Sequence, residues 1–132
     1  DPFLKETGMN PARIVVYNLW RRFDEDGVDT PFAVCDKRSV SEKELIPTDL
    51  FNYLPDQPEA LTVEICQSSH SESHKWYFYP EMTKDEVLMF KTYDSDEKPF
   101  IPTLHSAFDY PGTPKGATPR ESIEVRAVCF FD

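Results

Sequence analysis

At 132 residues, with 39% hydrophobic and 14% aromatic side chains, the chain can build one modest core and is too apolar for a disordered segment. A formal charge of −10 argues against nucleic-acid and anionic-membrane partners, whose phosphates must be neutralised by Lys and Arg. The acidic residues are scattered, as on a solvated, self-repelling surface, and are not gathered into a binding device.

In chain order, Arg13–Trp20 (RIVVYNLW) is rich in β-branched and aromatic residues and reads as a buried strand. Phe32–Cys35 follows Pro31 as a short apolar strand. Ser41–Phe51 is the one helical candidate, because Ser41 with Glu44 three residues on has the form of a capping box; Pro47 would cut it short. Leu61–Gln67 alternates, with Leu61, Val63 and Ile65 on one face and Thr62 and Glu64 on the other. After the polar stretch SSHSESH, Lys75–Tyr79 (KWYFY) is expected to return as the second arm of a hairpin with a long loop. Glu86–Tyr93 fits either period, and its aromatic end favours a strand. Leu104–Phe108 is a short segment after Pro102. Asp109–Pro119, with its Pro and Gly residues, must be loop, and Ile123–Phe131 is a strong last strand.

With 12 prolines punctuating short strands, the expected fold is mainly β, of the sandwich, jelly-roll or barrel kind, as a single domain over residues 1–132 without repeats or a linker. Trp20, Trp76, Tyr77, Phe78 and Tyr79 are expected mostly in the core and otherwise in a pocket wall. Cys35, Cys66 and Cys129 are odd in number and far apart, so they make neither a disulfide framework nor a CxxC metal site. Cys66 and Cys129 lie in strand-like runs and are expected to be buried free thiols of a reduced, cytoplasmic protein. No apolar run approaches the roughly 20 residues of a membrane span, and there is no secretory signal. The chain begins Asp1-Pro2 without an initiating Met, as a processed product or a part of a longer protein would.

Of the three histidines, His70 and His74 flank the polar loop and His105 precedes the Pro-rich loop. Arg120 and Ser122 follow His105, and residues two apart in a strand share a face. They would then present a carboxylate fork and a hydroxyl to one space. Neutral imidazole suits divalent iron, and a face of two His and one carboxylate leaves positions open for a 2-oxo acid and oxygen. GxSxG, P-loop, HExxH and GxGxxG motifs are absent, which leaves hydrolase and nucleotide-binding readings unsupported.

The blocks NLWRR (18–22), PFAVCDKRSV (31–40), HKWYFYPEMTKDEVLMFKTYDS (74–95), LHSAFDYP (104–111) and PRESIEVRAV (119–128) follow one another in an order that resembles the fungal and bacterial CmcJ/AsaB-type hydroxylase/desaturase family, which includes the gibberellin desaturases. The resemblance runs from Arg13 to Phe131. It implies part or all of a double-stranded β-helix (jelly roll), and oxidation of a small organic molecule in secondary metabolism using iron(II) and 2-oxoglutarate. It further implies that His105 is the distal iron ligand, that Arg120 grips 2-oxoglutarate and that Ser122 supports it. Arg126 lies on the same strand face and is a candidate to assist; a salt bridge to Glu124 is its plain structural alternative. The family supplies its other two iron ligands as a His-x-Asp pair ahead of the NLWRR block, its members are about twice this length, and no His precedes Arg13. His70-Ser71-Glu72 has the HxE form but falls at a different place in the family order. Asp36 and Asp94 read as strand-end caps or Arg partners, with Asp94 a remote alternative as an iron carboxylate.

Three readings therefore stand at the level of sequence. The chain is the distal part of such an oxygenase; or a shortened, non-redox relative, without a cofactor, that binds a small metabolite or promotes its cyclisation or rearrangement; or a plain β-sandwich binding domain. The second reading predicts a homodimer, since a half-barrel exposes sheet edges and apolar faces.

Overall fold

Runs of β-branched and aromatic residues become strands, and no α-helix forms among the residues that the computed structural model describes, 8–23, 29–51 and 61–132, the side chains of 61–64 excepted. The strands are β1 (Arg13–Arg22), β2 (Phe32–Cys35), β3 (Leu45–Phe51), β4 (Leu61–Ser68), β5 (Trp76–Phe78), β6 (Leu88–Asp94), β7 (His105–Ala107) and β8 (Ser122–Phe131). They form three antiparallel sheets, ordered β6-β1-β8, β5-β2-β7 and β3-β4. In the first two, strands distant in sequence are neighbours.

β1 is the central strand and pairs along its whole length with β8. Cross-strand partners share a face. Asn18 therefore stands beside Phe90 and Arg126, Trp20 beside Leu88 and Glu124, and Arg22 beside Ser122. Asn18, Trp20 and Arg22 are buried, so this is the inner face of the sheet. Trp20, Met82 and Phe90 form one apolar cluster, with Phe32, Val34 and Leu88 packed against it. Trp20 and Phe32 stack with ring centroids 4.5 Å apart, tying the β6-β1-β8 sheet to β2. Burying an aromatic of this size is worth roughly 4–6 kcal/mol by area. Cys35, Val40 and Leu104 form a second cluster.

At the Arg13 end, Asp94 is buried and bound on both oxygens. Arg13 donates to it through Nε at 2.9 Å and Nη2 at 2.6 Å, and Lys91 Nζ reaches it as well. These partners hold the Asp94 carboxyl far below the usual range. Asp94 is thus an Arg partner. Asp36 is too: it caps the 3-10 turn Lys37–Ser39, and its hydrogen bonds with Arg38 lower its pKa to about 2.

Several sequence expectations are corrected. Ser41–Phe51 is not a helix. The Ser41 N–H donates to the Glu44 carboxylate at 2.8 Å, as a capping box requires, but only the 3-10 turn Glu42–Glu44 follows, and Leu45–Phe51 is strand. Its Pro47 is accommodated because, among the described residues, β3 pairs on one side only. Lys75–Tyr79 does not form a hairpin with Leu61–Gln67, since β4 pairs with β3 and β5 with β2. Of the five aromatics expected mostly in the core, Trp20 is buried and Trp76, Tyr77 and Tyr79 are exposed, because β5 is a three-residue edge strand. All three cysteines are free, but Cys66 is exposed and Cys35 is the buried one.

Candidate functional site

Arg120 lies just before β8, so its side chain is set by the neighbouring loop and not by strand alternation. Its backbone N–H donates to Asp29 Oδ1 at 3.3 Å, and its Nη1 donates to the Thr30 carbonyl at 2.9 Å. The guanidinium stands over the Trp20 ring at 5.7 Å. Its Nε is buried without a hydrogen-bond partner. A charged donor left open in a dry place is what an anion would satisfy. Arg120 therefore fits the role of a carboxylate anchor.

The group faces a cleft of about 280 Å³ whose walls include Trp20, Arg22, Phe32, Tyr77, Tyr79 and Tyr110. Largely apolar walls rich in aromatic rings, with Arg120 among them, suit a small, largely apolar molecule carrying a negative group. Phe78, which packs edge-on against Phe108 and tilts against Tyr110, also lines it. The aromatics of KWYFY are thus pocket wall more than core. Gly112 lets the Tyr110 ring lie close at the rim: a Cβ there would stand 2.7 Å from the ring, which would have to shift.

His105, in β7, is not part of that wall, but Phe32, which is, packs against it at 5.7 Å, and Phe90 packs at 4.7 Å. Its Nδ1 lies 3.0 Å from the Thr103 carbonyl. A carbonyl only accepts, so Nδ1 carries a hydrogen, and the neutral tautomer that this contact selects has its lone pair at Nε2, as a metal ligand would. Nε2 is 3.8 Å from Glu124 Oε2. His105 thus fits one position of a metal site, while no group of three His, Cys, Asp or Glu gathers among the described residues.

Ser122 opens β8 opposite Arg22 and is exposed, outside the cleft wall. Arg126 shares its face, and its Nε is 4.0 Å from Glu124 Oε1. His70 pairs with Glu72 at 3.2 Å in full solvent, remote from any wall of the cleft. His74 is buried against Glu44 with Nε2 2.9 Å from the carboxylate, and hydrogen bonds from the Ser41 N–H, the Ser71 hydroxyl and His74 lower the Glu44 pKa to about 2. Sequence reading missed Arg22 and Glu124 as site residues. The signal was available: Arg22 is two residues beyond Trp20, and Glu124 lies between Ser122 and Arg126 in the same alternation.

Comparison with known proteins bears on the family and the fold. A family pattern described as oxidoreductase/YMDC permease-like domain matches residues 5–130. The chain is similar to the Fe(II)/2-oxoglutarate-dependent dioxygenase nvfI of Aspergillus novofumigatus, with 37% identity over 90% of this chain and 41% of that protein. It is 29% identical to the hydroxylase/desaturase asaB of Aspergillus flavus, over 92% of this chain and 57% of that protein. A solved structure of the iron and alpha-ketoglutarate-dependent endoperoxidase NvfI superposes with a TM-score of 0.76, covering 90% of this chain and 43% of that one. The chain therefore spans about half the length of the relatives it matches. Its fold is part of a jelly roll, as expected from the sequence. No helix among the described residues is long and apolar enough to cross a membrane.

Proposed function

Because this chain belongs to the oxidoreductase/YMDC permease-like domain family, together with the AsaB-type hydroxylase/desaturases, we propose that it is the distal part of an iron(II)- and 2-oxoglutarate-dependent oxygenase that hydroxylates or desaturates a small metabolite of fungal secondary metabolism. The observation that carries the reading is the unpartnered, buried Nε of Arg120 in an aromatic cleft next to the His105 strand. Relatives named as dioxygenases and hydroxylase/desaturases favour this over the shortened, non-redox alternative. Three free thiols fit a cytoplasmic setting.

Iron(II) and 2-oxoglutarate, when bound, would let dioxygen serve as the oxidant, one oxygen atom going to the 2-oxo acid as it becomes succinate and carbon dioxide and the other accounting for oxidation of the substrate. The residues of this chain bind and orient. Arg120 holds the far carboxylate of the cosubstrate with Nε while Thr30 keeps the rest of the guanidinium in place. Ser122 is assigned the supporting hydroxyl and Arg126 a secondary cation. His105 offers Nε2 to the metal, with Thr103 fixing the ring. Trp20 and Phe32 exclude water between the two, which strengthens each charge interaction. Tyr77, Tyr79 and Tyr110 form the wall against which an apolar substrate would lie. The remaining His-x-Asp ligands are assigned to the length of the relatives that this sequence does not match.

The test is succinate formation from 2-oxoglutarate by the full-length protein under air. Formation that requires iron(II) and disappears in His105→Ala supports the proposal. Iron-independent formation, or an unchanged rate in His105→Ala, would overturn it.

A further inference from the structure

On the inner face of the β6-β1-β8 sheet, a chain of hydrogen bonds leads from Thr92 to Glu124, and the chemistry of its members fixes every direction. A carboxylate only accepts, so the amide nitrogen of Asn18 must face Glu124; Nδ2 donates to Oε1 at 2.7 Å. The Asn18 oxygen then faces the other way and accepts from the Thr92 hydroxyl at 2.9 Å. Asn18 is fully buried, so this clamp is rigid. It leaves Glu124 Oε2 as the oxygen 3.8 Å from His105 Nε2, the nitrogen whose lone pair is exposed because Nδ1 donates to Thr103. Oε2 and, in the neutral ring, Nε2 are thus two acceptors held 3.8 Å apart, a spacing that either a second proton on the imidazole or a metal cation would bridge. Arg126 approaches the other oxygen, Oε1, at 4.0 Å, and does not fill the gap. Such a pair is unfavourable alone and favourable around a cation.

We infer that Glu124 is a positioning residue for a divalent metal at His105: clamped by Asn18 and Thr92, its Oε2 holds the cation on the Nε2 side by charge. The inference rests on the proposed reading of His105 and adds to it a carboxylate from β8 itself, distinct from the His-x-Asp pair. It also gives a purpose to the buried Asn18, which an apolar residue would otherwise replace at lower cost.

The test is anaerobic binding of manganese(II) alone to the full-length protein, followed by loss of the free-ion paramagnetic resonance signal, in wild type, Glu124→Gln, Glu124→Asp and His105→Ala. Gln keeps the size of the side chain and an oxygen to accept from Asn18, so the fold and the melting temperature should be unchanged. Affinity should fall by roughly 10- to 100-fold, as for other groups that support a metal ligand, and Glu124→Asp should recover part of the loss. Wild-type manganese affinity in Glu124→Gln, with affinity still lost in His105→Ala, would overturn the role of Glu124 and leave the metal-ligand reading of His105 intact. Wild-type affinity in His105→Ala would overturn both.

Discussion

At the Arg13 end of β1 a guanidinium grips Asp94 with two hydrogen bonds, whereas beyond the Arg22 end Arg120 keeps a buried Nε with no partner at all. The first region is closed. Arg13, Lys91, Asp94, Glu97 and Lys37 form one alternating ion network, and the depressed carboxyls of Asp94 and Glu97 are matched by the raised pKa of Lys91. The second region is open: Arg120 faces an aromatic-lined cleft with its Nε unpartnered, and Glu124 Oε2 stands 3.8 Å from His105 Nε2. Charge that is fully matched within the chain stabilises the fold and has nothing left to bind. Charge held in place but unmatched is where a ligand gains most.

The comparison breaks hardest at Trp20, which serves both the core and the cleft. Trp20→Ala should cost about 3–5 kcal/mol of folding stability, read by denaturant titration, through loss of the Phe32 stack and the cavity left behind. Arg120→Ala should separate the two regions. It should weaken 2-oxoglutarate binding by about 2–5 kcal/mol in calorimetry while leaving the melting temperature nearly unchanged. A large fall in melting temperature with unaltered binding would move Arg120 into the closed, structural class.

Acid should act on the closed region. Asp94, Glu97, Asp36 and Glu44 all have folded pKa values below their ordinary 3.8 to 4.5, so their stabilisation is fully present above that range and is lost as pH falls through it. Melting temperature should be level above about pH 5 and decline steadily toward pH 2, modestly because much of the network is solvent-screened. A melting temperature that rises on acidification would contradict the network. Ser122→Ala should have the smallest effect, about 0.5–1.5 kcal/mol on cosubstrate affinity, the worth of one hydroxyl hydrogen bond.

Much of the fold was legible because strand-forming runs are long and bounded by prolines: β1, β2, β6 and β8 fall where RIVVYNLW, FAVC, EVLMFKTY and IEVRAVCFF predicted. The pairing was not legible. β4 and β5 are neighbours in sequence but partners of different strands, a choice made by non-local packing. Ser41 and Glu44 signalled a helical start correctly, yet nothing local told that LIPTDLF would leave the turn as an edge strand. In the candidate site, the PRES and LHSAFDYP blocks were what singled out Arg120 and His105, and the structure places Arg120 on the cleft wall and His105 behind Phe32. Glu124 was seen only as an ion-pair partner for Arg126, because its meeting with His105 depends on β7 and β8 coming together in space.

The central claim is that the open charges of this chain belong to an iron and 2-oxoglutarate site. Anaerobic titration of the full-length protein with iron(II) and 2-oxoglutarate, watched in the visible, tests it most directly. The account predicts a metal-to-ligand absorption band that forms only when both are present and needs a far higher 2-oxoglutarate concentration in Arg120→Ala. No band in the wild type, or the same concentration dependence in the variant, would contradict it.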